Sequence, residues 1–158
     1  GRAPAHGFKV GIATLAVTQL YEELLQFPME RLDPEARAAA WPAWPEVERD
    51  LEARFPEPAI RQKALEETAA KHVDPGALRD HLRRLRDRWP ALRDRLRQQL
   101  LPPSELEAML KAVGAPTAPE EIGISPERLS ASFLLAYHLR RRFTVLDLAR
   151  WLGILSGA

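Results

Sequence analysis

The most regular apolar pattern in the chain lies between residues 78 and 96. Six large apolar side chains recur there at alternating steps of four and three residues: Leu78, Leu82, Leu85, Trp89, Leu92 and Leu96. Steps of this kind place side chains along one face of an α-helix, as in a heptad repeat. Because a proline inside a helix removes one backbone hydrogen bond, Pro90 predicts either a kink or two nearly coaxial helices at this point.

Helical signals continue through the rest of the chain. Apolar residues follow helical steps from Phe8 onward, and Pro28 ends this first helix. Further helix starts are predicted at Asp33-Pro34-Glu35, Asp74-Pro75-Gly76, Ser104 with Glu107, Ser125-Pro126-Glu127 and Thr144 with Asp147. Other helices are expected at about 46–55 and 57–72. Because no strand-like alternation or hairpin dipeptide occurs, the sequence predicts an all-α bundle of seven or eight helices.

Composition narrows the classes of function. The chain has 158 residues, enough for one domain with a hydrophobic core, and a single domain over 1–158 is predicted. Lys and Arg number 23 against 22 for Asp and Glu, which argues against bulk attraction to nucleic acid or anionic membranes. Cysteine is absent, which excludes disulfides and thiolate sites. No membrane span or signal-peptide pattern occurs, and a cytoplasmic location is expected.

Two local features predict close packing. The segment Trp41-Pro42-Ala43-Trp44-Pro45 forms a turn-rich joint, and we interpret both indole rings as cover for the core at a helix junction. A peptide-binding groove is the alternative interpretation. Gly7 and Gly11 are poor helix formers, so they predict that the first helix approaches a neighbouring helix or a ligand closely.

Two clusters of basic residues each allow two interpretations. Residues 79–97 contain eight arginines and three aspartates. A solvated helix face, with Asp87 paired to Arg83 and Arg84, is favoured over a nucleic-acid module. Residues 140–142 are all arginine and precede a predicted helix start, where they could hold a phosphate. Pairing of these arginines with buried acids, or a place at a subunit interface, is favoured.

None of the four histidines stands at metal-ligand spacing from another. His72 and His81 are predicted on the surface of charged helices, and His138 is predicted to be partly buried with its hydrogen bonds satisfied. His6 precedes Gly7 at a helix start, where its imidazole can point out of the fold. Sequence motifs for dinucleotides, for phosphates and for a nucleophile activated by histidine are absent.

Three segments of the chain resemble one known family. They are HGFKVGIATLAVTQLYEELL, LLPPSELEAMLKAVGAPTAPEEIGIS and LRRRFTVLDLARWLGIL, and they occur in this order from one end of the chain to the other. They resemble the C-terminal helical domain of the iron-type alcohol dehydrogenase superfamily. Within it, the sn-glycerol-1-phosphate dehydrogenase branch, particularly its bacterial AraM-type enzymes, is most similar. The middle of the chain, residues 28–97, is less characteristic.

The resemblance implies a metal ligand. In that family one aspartate and two histidines hold a divalent metal, zinc or nickel, at the cleft between two domains, and the second histidine matches His6. The aspartate, the first histidine and the NAD(P)-binding α/β domain would lie upstream of this chain. The chain would then be a dehydroquinate synthase-like C-terminal α-domain, and alone it would bind metal weakly and lack activity. Lys9, one turn beyond His6, could face the same cleft and bind substrate phosphate; an exposed lysine at a helix start is the alternative.

The resemblance also implies a reaction and partners. The intact enzyme would interconvert dihydroxyacetone phosphate and sn-glycerol 1-phosphate, with the metal acting as a Lewis acid on the substrate oxygen. Its partners would be the nucleotide-binding domain of the same polypeptide, the phosphorylated substrate and further copies in a homo-oligomer. The same domain of a glycerol dehydrogenase or a 3-dehydroquinate synthase is one alternative. A free-standing helical adaptor is another alternative. It predicts that the apolar helix face formed by the six residues between 78 and 96, here called the 78–96 seam, stays exposed. It also predicts that His6→Ala has no effect on function.

Overall fold

The computed structural model describes residues 5–155, and in that part of the chain every regular element is helical. The α-helices are α1 (His6–Gln26), α2 (Pro34–Ala39), α3 (Trp44–Arg54), α4 (Pro58–Ala69), α5 (Pro75–Gln99), α6 (Pro103–Ala112), α7 (Pro126–His138) and α8 (Val145–Leu152). Two 3-10 turns lie at Met29–Arg31 and Pro119–Ile122. The predicted all-α bundle of seven or eight helices is confirmed. No helix in the described part is long and apolar enough to cross a membrane.

Most helix starts lie where the cap residues predict them. At the start of α2, the Asp33 carboxylate accepts hydrogen bonds from the backbone N–H groups of Glu35 (3.0 Å) and Ala36 (3.1 Å). Thr144 and Asp147 form the predicted capping box at the start of α8. The box predicted at Ser104 is wrong. Helix α6 begins one residue earlier, at Pro103, because proline is pre-organised for the first helical position.

Helix α5 runs without interruption through Pro90, so the alternative of two separate helices is wrong. Pro90 leaves the carbonyl of Arg86 without its helical donor, and both residues are exposed on the helix. Of the six apolar residues of the 78–96 seam, Leu78, Leu82 and Trp89 are buried and the rest are half-buried. The exposed seam that a free-standing adaptor predicts is therefore not observed.

The described residues divide into two compact units. Unit 1 contains residues 5–27 and 90–131, and unit 2 contains residues 28–89 and 132–155. The division falls inside α5 and inside α7. The prediction of a single domain over 1–158 stays a prediction, and its two ends, 1–4 and 156–158, lie outside the described residues.

In unit 1, α1 packs against α6 and against the 3-10 turn at 119–122. A Cβ atom on Gly11 would lie 3.5 Å from Cδ2 of Leu110 of α6, an ordinary van der Waals distance, so α6 contacts α1 here without an approach that requires glycine. No described atom lies within 4 Å of the corresponding position on Gly7, so the close approach predicted there is not observed among the described residues. Helix α1 buries a row of apolar side chains, whereas α6 buries none of its residues.

In unit 2, one core cluster forms between α3 and α4. Val47 and Leu51 of α3 are buried together with Phe55 and Ala64. The side chain of Trp44 packs against this cluster, and Trp41 is buried, so both indole rings cover core as the sequence predicts. The spacing of four residues between Val47, Leu51 and Phe55 accounts for the buried face of α3.

Gly153→Ala is expected to lower the free energy of unfolding by about 1–2 kcal/mol. Gly153 ends α8 with φ +80°, a conformation in which an L side chain is strained. Its Cβ would also lie 2.8 Å from Nη1 of Arg37, whose guanidinium donates to the Trp151 carbonyl. Urea unfolding measures the loss. Gly7→Ala is the control: it adds a methyl group to a helix with no described neighbour, so we expect no loss.

Candidate functional site

The metal ligand implied by the resemblance lies at the exposed start of α1. His6 is the first residue of the helix, and its side chain is exposed, as is that of Lys9 one turn further on. Residues three apart share one side of a helix, so the imidazole and the ammonium group project from the same side of α1. Both groups therefore lie where a ligand or a partner can reach them.

His6 belongs to no complete metal site within residues 5–155. No three His, Cys, Asp or Glu side chains of that part lie close enough together to hold a metal ion. A catalytic zinc takes three protein ligands, so one imidazole does not form such a centre. An ion bound at His6 would need ligands from outside the described residues.

Exposed apolar side chains lie on the same unit as His6. Phe8 and Val10, in the first turns of α1, are 42% and 48% exposed. On α6 and directly after it, Met109 is 49% exposed and Val113 is 78% exposed. Phe8 and Val10 are two positions apart, so they project from different sides of α1. Both large apolar side chains are nevertheless open to a partner at the start of this helix.

A buried ion pair lies in unit 2. Nζ of Lys71 is 2.9 Å from a carboxylate oxygen of Asp147, and the two side chains are 7% and 4% exposed. The same ammonium donates to the carbonyl of Tyr137 (2.6 Å) and lies 3.8 Å from the centre of its ring. Burial lowers the pKa of Lys71, and its contacts with Asp147 act against that shift. The sequence indicated Asp147 only as a cap residue, because Lys71 is distant along the chain.

His138, at the end of α7, is 2% exposed, so the prediction of a partly buried and fully satisfied histidine is wrong. Its Nδ1 lies 3.0 Å from the hydroxyl of Thr68, whereas its Nε2 is buried without a hydrogen-bond partner. Burial and the nearby guanidinium of Arg150 lower the pKa of His138 to about 3, so its imidazole is neutral near pH 7. A buried polar atom without a partner costs about 1–3 kcal/mol and calls for an explanation.

His138 lines a cavity of about 250 Å³ in unit 2. The carboxylate of Asp50 and the guanidinium of Arg54 form an ion pair in its wall at 2.7 Å. Arg150 reaches the same cavity from α8. Its guanidinium has one weak contact, to the carbonyl of Leu155 at 3.5 Å, and no ion pair with a described carboxylate. We call this the His138 cavity.

His72 also lines the His138 cavity; it is half-buried and follows α4 instead of lying on a helix, so the prediction of a surface residue on a charged helix is met only in part. Its ring stacks on Trp41 with the ring centres 5.8 Å apart, and Trp44 lies 5.5 Å away on a tilted plane. This burial lowers the pKa of His72. His81, also predicted on the surface, is half-buried and stacks on Trp151 at 5.3 Å. In both cases the aromatic partners are distant in sequence.

The basic clusters make ion pairs within the fold. Arg83 pairs with Glu35 of α2 and with Asp80, so its predicted pairing with Asp87 is wrong. Arg141 pairs with Glu67, whose side chain is 13% exposed, at 2.9 Å. The interpretation that these arginines pair with buried acids is met only in part, since Glu67 is half-buried and Arg141 is the one residue of 140–142 with an ion pair to a described acid. The Arg141 guanidinium holds the pKa of Glu67 down at about 2.

Comparisons of the chain with protein-family models, with curated proteins and with solved structures find no match. The family resemblance, and the function and cofactors that it implies, therefore stay predictions.

Proposed function

We propose that this chain is the C-terminal helical part of a metal-dependent dehydrogenase of the iron-type alcohol dehydrogenase superfamily, with His6 as one metal ligand. In the longer polypeptide, the reaction would interconvert dihydroxyacetone phosphate and sn-glycerol 1-phosphate with NAD(P). Support comes from the three segments that resemble this family and from the exposed position of His6 at the start of α1.

The observation that carries the proposal is the exposure of the whole first turn of α1. Residues 5–10 are all exposed, although Phe8 and Val10 are large and apolar. A nucleotide-binding domain seated on the start of α1 would bury Phe8 and Val10, with a gain of about 25 cal/mol for each Å² of apolar area. Such a domain would also bring its own ligands to His6.

His6 and Lys9 have separate roles in this proposal. The imidazole of His6 would bind the metal together with an aspartate and a second histidine from the upstream domain. The metal, when bound, supplies a Lewis acid that polarises the substrate oxygen. The ammonium group of Lys9 would bind the substrate phosphate as a point charge.

His6→Ala in the polypeptide that includes the upstream coding region is expected to lower metal affinity by at least tenfold, since even losing a residue that only orients a ligand costs about 10–100-fold. Metal content by mass spectrometry and oxidation of NAD(P)H with dihydroxyacetone phosphate measure the effect. His81→Ala, which removes an imidazole stacked on Trp151, is the control and should retain the metal.

Two results would contradict the proposal. One is an upstream coding region without a nucleotide-binding unit and without an aspartate and a histidine to complete the ligand set. The other is robust turnover of dihydroxyacetone phosphate by the 158-residue chain alone, because the proposal makes that chain inactive.

A further inference from the structure

An open groove lies between α4 and the end of α7, within unit 2, and we call it the α4–α7 groove. It has a volume of about 640 Å³, and its lining consists of Ala59, Ile60, Lys63, Ala136, Leu139 and Arg140. Ile60 is 46% exposed, although a large apolar side chain gains free energy when it is buried. A partner that covers this groove would therefore bury apolar surface that the described residues leave open.

The charged groups in the lining of the α4–α7 groove are both cations. Arg140 is exposed and makes no ion pair with a described carboxylate. Nζ of Lys63 lies 3.8 Å from Glu67, but that carboxylate is held more closely by Arg141, at 2.9 Å. Because the fold compensates these two positive charges weakly, the groove favours a partner that combines apolar side chains with an acid.

Helix α6, in unit 1, exposes such a combination. Glu105, Met109 and Val113 follow one another at steps of four residues, so they project from one side of the helix and its end. Met109 is 49% exposed and Val113 is 78% exposed. Glu105 is exposed as well and makes no ion pair with a described cation. Exposed apolar residues at this spacing are typical of a helix that docks into an apolar groove of another chain.

The order of apolar and charged groups selects one orientation of the two helices. On α4, Ile60 precedes Lys63 by three residues, whereas on α6 the acid Glu105 precedes Met109 by four. At 1.5 Å per residue these steps are about 4.5 Å and about 6 Å along the helix axis. Antiparallel packing therefore sets Met109 against Ile60 and Glu105 near Lys63 at the same time. Parallel packing with Met109 on Ile60 would carry Glu105 away from Lys63.

We propose that the chain associates with a second copy of itself, with α6 of one copy docked antiparallel to α4 in the α4–α7 groove of the other. The inference uses neither His6 nor Lys9, so it does not rest on the proposed function. It also goes beyond the homo-oligomer that the family resemblance implies, because it names the two surfaces in contact and predicts the contact for the 158-residue chain alone.

The test is sedimentation equilibrium of the 158-residue chain at concentrations from about 1 μM to about 1 mM. A ten-residue helix in one groove makes a small interface, and interfaces below about 1,200 Å² are weak, so we expect association at about 100 μM and above. A chain that stays monomeric up to about 1 mM would overturn the proposal and assign the groove to a different occupant.

Variants of the two surfaces test whether they are the ones in contact. Met109→Lys brings a cation against the cations of the groove, and Ile60→Glu brings an acid against Glu105. Each is expected to weaken association at least tenfold, as for a central interface residue. Val10→Lys is the control, since Val10 is 48% exposed on α1 and belongs to neither surface. Circular dichroism establishes that the three variants fold.

A mixture of the two altered chains provides the decisive measurement. Each chain of the pair Met109→Lys and Ile60→Glu keeps one surface intact, so an unaltered α6 and an unaltered groove are both present in the mixture. The mixture should therefore associate where each variant alone does not. No recovery in the mixture, weakened association in only one of the two variants, or an equal loss for Val10→Lys would contradict the proposal.

Discussion

Asp147→Ala is expected to lower the free energy of unfolding by about 3–5 kcal/mol, because it breaks a buried ion pair and leaves the other charge buried without its ion-pair partner. The remaining charge is the ammonium group of Lys71, whose side chain is 7% exposed. It also donates to the carbonyl of Tyr137 and lies over the Tyr137 ring, and Glu67 attracts it without forming an ion pair, so no remaining partner neutralises it at contact distance. Urea unfolding at pH 7 measures the loss.

Asp147 also stabilises the start of α8. Its second carboxylate oxygen accepts hydrogen bonds from the backbone N–H of Thr144 (2.8 Å) and from the Thr144 hydroxyl (2.9 Å). Loss of a helix cap alone costs about 1 kcal/mol. The Asp147 side chain therefore takes part in the cap of α8 and in the ion pair with Lys71, which follows α4. Asp147→Ala removes both interactions.

Two controls identify the unpaired charge as the cause. Glu107→Ala removes a carboxylate from an exposed pair with Lys111 on α6, where a loss of at most about 1 kcal/mol is expected. The double variant Lys71→Met, Asp147→Leu removes both buried charges and should recover a large part of the stability. A loss for Asp147→Ala no larger than that for Glu107→Ala would contradict the prediction.

The helices were predictable from the sequence because their signals are local. Asp33 lies directly before α2, and Thr144 lies directly before α8, so each cap acts on backbone groups a few residues away. The seam of α5 was predictable for the same reason, since its period alone defines one helical face. Pro103 and Ser104 show the limit of local signals. Each of these two neighbouring residues can start a helix, and in the structure α6 begins at the proline.

The His138 cavity was not predictable because its contacts join distant segments. Thr68 and His138 are 70 residues apart in the chain, and their hydrogen bond exists only once α4 packs near the end of α7. Arg150 enters the same wall from α8. His72 is a related case, since charged neighbours in the sequence indicated a surface residue while two indole rings cover it in the fold. No periodicity along the chain encodes such contacts.

Acidification from pH 7 to pH 5 is expected to cost the chain about 2 kcal/mol of stability through His138 alone. In the native state, burial keeps its imidazole neutral down to a pKa of about 3, against an ordinary value of 6.5 in the unfolded chain. Below pH 6.5 the unfolded state therefore binds more protons than the native state, so stability falls as the pH falls. Each pH unit below 6.5 costs about 1.4 kcal/mol.

The variant His138→Asn isolates this contribution, since asparagine can keep a hydrogen bond to Thr68 and does not titrate. Its stability should fall by about 2 kcal/mol less than that of the unaltered chain between pH 7 and pH 5. The lowered pKa of His72 also makes stability fall as the pH falls, but this contribution is present in both proteins. The low pKa of Glu67 changes stability only below this pH range. Leu78→Ala, which removes a fully buried side chain without a titratable group, should keep the original pH dependence. The burial of His138 and the nearby guanidinium of Arg150 oppose its protonation in the native state. Equal pH dependence of stability in the unaltered chain and in His138→Asn would contradict the prediction, because it would mean that native His138 accepts a proton.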